Sequence, residues 1–174
     1  MTPWQSDTDA QAQWHEFDAT ALEPQVAAPH SPANAAPVHA YGNTPVQVAY
    51  IGACTGAKLD DLRAAARVLQ GRRIAAGVSL MVAPASQRDQ VAAEAEGVLP
   101  ALLQAGATLL PTTCGACSGY GGSIPEDVNV VSTTARNFKG RMGAASARVY
   151  LASPYTVAAS ALAGRIADPR EVLA

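Results

Sequence analysis

The sequence is short of several things, and each shortage removes a class of function. It holds no run near the ~20 apolar residues that a bilayer crossing needs, so no membrane is expected as a partner. It has no basic excess, with 12 Lys+Arg against 14 Asp+Glu and a formal net charge of −2. Bulk electrostatics therefore give no reason to expect a nucleic-acid partner. The first residues, Met1-Thr-Pro-Trp-Gln-Ser-Asp-Thr-Asp9, are acidic. They lack the basic-then-apolar order of a secretory signal, so a reducing, cytoplasmic compartment is expected. No internal repeat is visible. Cysteine is scarce too, with three in 174 residues. An odd number leaves one thiol over in any pairing, and in a reducing compartment a Cys-rich turn points to metal or catalysis before disulfides.

What is there suffices for one domain with a real core: 49% hydrophobic and 15% charged residues. The first 45 residues differ from the rest. They hold all three histidines (His15, His30, His39) and several prolines, among them those at 24, 29, 32, 37 and 45. Each of these prolines removes a backbone donor and disfavours helix before it, which predicts an extended arm over residues 1–45 that must lie against something. From Val46 a regular pattern begins, and residues 46–174 read as one α/β domain. Strands are predicted at Val46–Ile51, Val78–Ala83, Ala107–Leu110, Val128–Ser132 and Arg148–Ala152. Helices are predicted at Asp60–Leu69, Gln87–Gly97, Leu99–Ala105 and Tyr155–Ala163, punctuated by Pro100, Gly106, Pro154 and Gly164. Strands alternating with helices imply a three-layer α/β fold, a mostly parallel sheet with helices on both faces.

That architecture places the cysteines. Cys54 follows the first strand in Ile51-Gly-Ala-Cys-Thr-Gly56, and Cys114 and Cys117 follow the third in Thr113-Cys-Gly-Ala-Cys117. Open α/β sheets bind ligands at the carboxyl ends of their strands, so chain-distant thiols can meet at one edge. Three thiolates can hold a cubane iron–sulfur cluster by three of its four irons, leaving the fourth iron open to a substrate oxygen. Glycines at 52, 56, 115, 119, 121 and 122 let backbone approach a bulky inorganic core. Other readings stand beside this one. Three buried small hydrophobes would suit a lone cysteine better than this set. A dithiol redox pair normally opens a helix, which Ser118-Gly-Tyr-Gly-Gly122 does not resemble. Zinc would want a histidine, and those lie in the arm without ligand spacing.

A second constellation, Ser132-Thr-Thr-Ala-Arg136-Asn-Phe-Lys-Gly-Arg141-Met-Gly143, follows the fourth strand and so should share that edge. Two guanidiniums there suit bidentate grip on carboxylates, against the ordinary reading of solvated surface arginines. Glu126 and Asp127 follow Pro125 and read as a solvated turn.

Taken together these stretches resemble the aconitase superfamily, nearest to the large subunits of 3-isopropylmalate dehydratases and their homoaconitase-like relatives. The matching segments are Leu22–Val26, Pro29–Pro32, Ile51–Thr55, Asp61–Ala66, Thr113–Cys117, Ser132–Phe138, Gly140–Gly143 and Tyr150–Pro154, in family order. The resemblance implies a [4Fe-4S] cluster on Cys54, Cys114 and Cys117, with Arg136 and Arg141 facing the active site and Arg141 on substrate carboxylate. It implies a hydro-lyase acting on a small-molecule hydroxy di- or tricarboxylate such as isopropylmalate. It further implies that the chain corresponds to the last third of a large subunit, its partners being the missing large-subunit region and a small, swivelling subunit. A non-catalytic cluster-binding or interaction module is the alternative. Departures from the family pattern are Ala53 and Gly56 where Ser and Asn are usual, and Ala135 where Asn is usual.

Overall fold

The computed structural model describes residues 3–119 and 124–173. Gly121 and Gly122 of the glycine set lie outside the described residues. The elements are β1 (Gln25–Ala27), β2 (Ala35–Pro37), β3 (Val48–Gly52), α1 (Leu59–Leu69), β4 (Ser79–Ala83), α2 (Gln87–Ala95), α3 (Val98–Ala105), β5 (Thr108–Leu109), β6 (Asn129–Ser132), β7 (Arg148–Leu151), α4 (Pro154–Ala163) and α5 (Arg170–Leu173).

Every residue of β3 is buried. A strand covered on both sides can be apolar throughout, which is why its sequence does not alternate. It pairs in parallel with β4, from Val48↔Ser79 to Gly52↔Ala83, and with β6, from Val48↔Val130 to Tyr50↔Ser132. Among the described residues the sheet has seven strands in the order β2-β1-β7-β6-β3-β4-β5, with β3 to β7 parallel and β1 antiparallel to β7. From β3 the chain steps outward to β4 and β5, then returns past β3 to add β6 and β7 on the other side. The crevice between the diverging connections after β3 and β6 is the topological switch point, where such sheets bind ligands.

The two faces are covered differently. Ala49, Ile51, Leu80, Val82 and Val131 meet Leu62, Ala65, Val68 and Leu69 of α1, Leu99 and Leu102 of α3, and Val157, Ala158 and Ala161 of α4. Local signals set these helices. Ser86 Oγ accepts from Asp89 N (3.1 Å) to start α2, and Ser153 Oγ accepts from Thr156 N (3.2 Å) with Pro154 next to start α4. Left-handed Gly106 and Gly164 close α3 and α4. On the opposite face Val48, Tyr50, Ala83, Val130 and Val149 meet Ala116, Ile124, Met142 and Ala147. These last four belong to the connections before β6 and β7, which a right-handed crossover running back across the sheet carries over that face. Its cover is a 3-10 turn, Gly115–Ser118, and loops in place of α-helices.

The stretch expected as an arm divides in two. Residues 3–22 are exposed, with Trp4, Trp14 and Phe17 on the surface and one short 3-10 turn at Ala19–Ala21. From Gln25 the chain joins the sheet as a hairpin, Gln25↔Pro37 to Ala27↔Ala35, and buries Val26 and Val38. The prolines are no obstacle, because Pro37 ends an outermost strand where a missing N–H leaves no ladder bond unmade.

Candidate functional site

Beyond the carboxyl end of β3 the chain turns sharply. A β-carbon on Gly52 would overlap the Tyr50 ring, Ala53 is held left-handed (φ 69°), and the Gly56 backbone lies so close to Thr133 that a side chain there would overlap the Thr133 carbonyl. Gly52 N donates to Thr133 Oγ1 (3.0 Å) and Thr133 N donates to Tyr50 O (3.0 Å). These bonds stitch the loop after β3 to the loop after β6.

The Cys114–Cys117 turn is held by its own backbone. Cys117 N donates to Cys114 O (3.0 Å), Gly115 N to Thr113 Oγ1 (3.1 Å) and Ser118 Oγ to Gly115 O (3.2 Å). Gly115 (φ 45°) and Gly119 (φ 77°) supply the left-handed bends. The arginine loop is fixed from beneath. Thr134 N donates to Ser132 Oγ (3.1 Å), and the buried Asn137 Nδ2 donates to Ala28 O (2.8 Å) and Val149 O (3.2 Å). Residues of the expected arm therefore support the loop that carries Arg136.

These three loops ring one cavity of about 160 Å³ lined by Cys54, Cys114, Cys117, Arg136 and Arg141, with Ala53, Thr55 and Ala135 between them. All the sequence-predicted site residues thus meet. The thiols are free, Cys54 and Cys114 exposed and Cys117 partly so. Among the described residues neither Arg136 nor Arg141 has a carboxylate partner. The Arg141 guanidinium lies 5.5 Å from the Phe138 ring centroid, a cation–π contact, and its Nε is buried without a hydrogen-bond partner among the described residues. The cavity therefore presents two guanidiniums that no carboxylate among the described residues neutralises. Among the described residues no histidine lines it. Glu126 and Asp127 precede β6, at the end of the strand away from the cavity, and both are exposed. Two larger hollows, about 290 Å³ beside α1 and α3 and about 500 Å³ beside α2, contain no cysteine or histidine.

Among the described residues no three His, Cys, Asp or Glu side chains are drawn together as ligands of a single metal ion. A cubane asks for something else: each thiolate takes a different iron, so the thiols ring a cavity instead of converging on a point. Three free thiols around a hollow fit that demand. Tyr50 fits it as well. Its hydroxyl is buried below the Cys114–Cys117 turn with no hydrogen-bond partner among the described residues. Burial pushes the phenol up to about 12; the charges that Cys117 and Cys114 can carry push the same way, against a smaller pull from the nearby Cys117 backbone. That pull reflects proximity only, since the geometry of a hydrogen bond is not met.

Sequence reasoning did not single out Thr133, Asn137 or Tyr50. The first two lie inside a matched segment, but only the folded chain shows that they bind loops together.

Comparison with known proteins gives a family and several relatives. The model of the aconitase family (aconitate hydratase) matches residues 39–164. The chain is 46% identical to a 3-isopropylmalate dehydratase large subunit of Pyrococcus furiosus over 174 residues, covering 98% of this chain and 41% of that protein. It is 46% identical to the same-named subunit of Nautilia profundicola, covering 96% and 40%, and 44% identical to that of Moorella thermoacetica, covering 98% and 41%. The chain thus spans about 40% of the length of the curated relatives it matches.

Proposed function

This chain belongs to the aconitase family, and from that premise we propose that it is the cluster-holding part of a hydro-lyase for a hydroxy di- or tricarboxylate such as 3-isopropylmalate. The observation that carries the reading is the single cavity ringed by three free thiols and two guanidiniums without carboxylate partners. Cys54, Cys114 and Cys117 would hold a [4Fe-4S] cluster. When bound, that group supplies a Lewis-acidic iron lacking a protein ligand. Arg136 and Arg141 take the substrate carboxylates, with the Phe138 ring steadying the Arg141 fork. The reaction breaks a C–OH bond and removes a proton from the carbon alpha to a carboxylate, giving an alkene acid and water. Re-addition of water at the neighbouring carbon completes an isomerisation.

Proton removal needs a base within hydrogen-bond reach of that carbon. Among the described residues no histidine, aspartate or glutamate lines the cavity. The base would come from the part of a large subunit that this chain does not span, or from a small subunit closing over the site. That shortfall also favours a second reading, a cluster-binding module without turnover of its own.

Anaerobic reconstitution of the 174-residue chain with iron and sulfide tests the central claim. Iron, acid-labile sulfide and visible absorption should all appear, and Cys114→Ser should abolish them because the thiolate is the ligand. Zinc as the sole bound metal, without sulfide, would overturn the reading. Turnover regained when the unspanned region and a small subunit are supplied in trans would decide for the split enzyme over the inert module.

A further inference from the structure

Tyr50 is a buried polar group that the proposed reaction leaves unused. It sits mid-strand in β3, fully buried, on the loop-covered face. Its hydroxyl stands 3.3 Å from where a β-carbon on Gly115 would be, directly under the Cys114–Cys117 turn. Cys117 packs against the same group of core residues. Buried hydroxyls almost always find a partner, and each exception asks for a reason. The obvious acceptors in the turn are engaged: Cys114 O by Cys117 N and Gly115 O by Ser118 Oγ. An acceptor left in that core group is the Cys117 sulfur. A protonated thiol is a weak acceptor, whereas a thiolate carries charge and accepts well.

We infer that Tyr50 is a positioning residue for the cluster, donating its O–H to the Cys117 sulfur once that sulfur is an iron-bound thiolate. The inference rests on the cluster reading above. Burial favours the neutral phenol, the form that carries the donor proton. Hydrogen bonds to cluster sulfurs draw off negative charge and raise the reduction potential, and a bond to Cys117 would also hold the turn in place.

Tyr50→Phe removes one oxygen from a packed site and nothing else. The apo variant should melt no lower than apo wild type, because a partnerless buried hydroxyl has been removed. The loaded variant should melt lower than loaded wild type, and its cluster midpoint potential should shift to more negative values. A purely structural tyrosine would move both melting temperatures alike and leave the potential where it was. An unchanged potential overturns the inference, whatever the melting shows, and leaves the cluster reading standing. Failure of the wild-type chain to take up iron and sulfide overturns the cluster reading and this inference with it.

Discussion

Ala49 and Ile51 of β3 look toward helices, while Val48 and Tyr50, one residue away, look toward loops. The strand is common to both faces, so the difference lies in what covers it. The helix side is built from repeated apolar side chains at helical spacing. Its contacts are many and individually replaceable. The loop side is built from left-handed glycines, side chains bonded to backbone and a few close backbone approaches. Each of those is made once. The thiols and guanidiniums stand on the loops at the carboxyl edge, where a backbone that has left regular structure can aim side chains into a cavity. The thiols and guanidiniums are placed by the less redundant half of the molecule, supported by the more redundant half.

The sharpest way to break this comparison is to cut the chain. We propose the division at about residue 45 as a test and not as a fixed boundary. Deleting residues 1–22 should change stability little, because residues 3–22 are exposed. Deleting residues 1–45 removes buried Val26 and Val38 and the Ala28 carbonyl that Asn137 bonds. The cost should be about 4 kcal/mol or more, from ~1.5–3 per buried valine and ~1–3 for the stranded amide. Denaturant unfolding measures both. If the longer deletion is as stable as the whole chain, the arm is dispensable and the arginine loop does not lean on it.

Next come two substitutions, one per face. Leu62→Ala on α1 empties a fully buried site on the helix side and should cost about 2–5 kcal/mol. The molecules that remain folded should still take up iron and sulfide as wild type does. Gly56→Ala should cost less, about 1–3 kcal/mol, yet impair uptake more. Its β-carbon would overlap the Thr133 carbonyl, and backbone cannot swing aside as a flexible side chain can. The loops after β3 and β6 would be forced apart, with Cys54 two residues away. Full uptake by Gly56→Ala would mean that the loop side tolerates error as well as the helix side does.

The contrast also explains what could be read in the sequence. The strand predicted at Val46–Ile51 is Val48–Gly52, and the helix predicted at Leu99–Ala105 is Val98–Ala105. Periodicity and caps are local signals, so they survive translation into structure. The thiols and arginines were legible because strand ends dictate where they go. β1 and β2 were not legible, being three residues long, proline-rich and held by partners far along the chain. Tyr50 read as core, since a tyrosine in a buried strand gives no sign that its hydroxyl lies beneath a cysteine turn. Gly56 stands where the family pattern usually has Asn, and in this chain a β-carbon there would overlap the Thr133 carbonyl.

The smallest expected effect lies on the helix side, at the start of α2. Asp89 sits in the first turn, where its carboxylate accepts from Ser86 Oγ and from Leu59 N (3.1 Å), tying α2 to the beginning of α1. The Ser86 hydroxyl is the main cause holding its pKa below the ordinary carboxylate value; the Leu59 N–H and the charges of Arg88 and Lys58 help, against some opposition from desolvation. A carboxylate whose pKa is lower folded than unfolded stabilises the fold at pH above its unfolded value, about 4. That contribution fades as pH falls through the folded value. Asp89→Asn should therefore cost a constant amount between pH 5 and 7, under about 1 kcal/mol because the group is largely solvated. The difference from wild type should shrink below pH ~4. Thermal melts at pH 7, 5 and 3 would show the trend, and a gap that widens on acidification would reverse the sign assigned to Asp89. Iron uptake at neutral pH should be unaffected, because the bond to Leu59 steadies α1 and not the thiol loops. Loss of uptake in Asp89→Asn would show that the redundancy of the helix side stops short of the turn where α1 leaves the Cys54 loop.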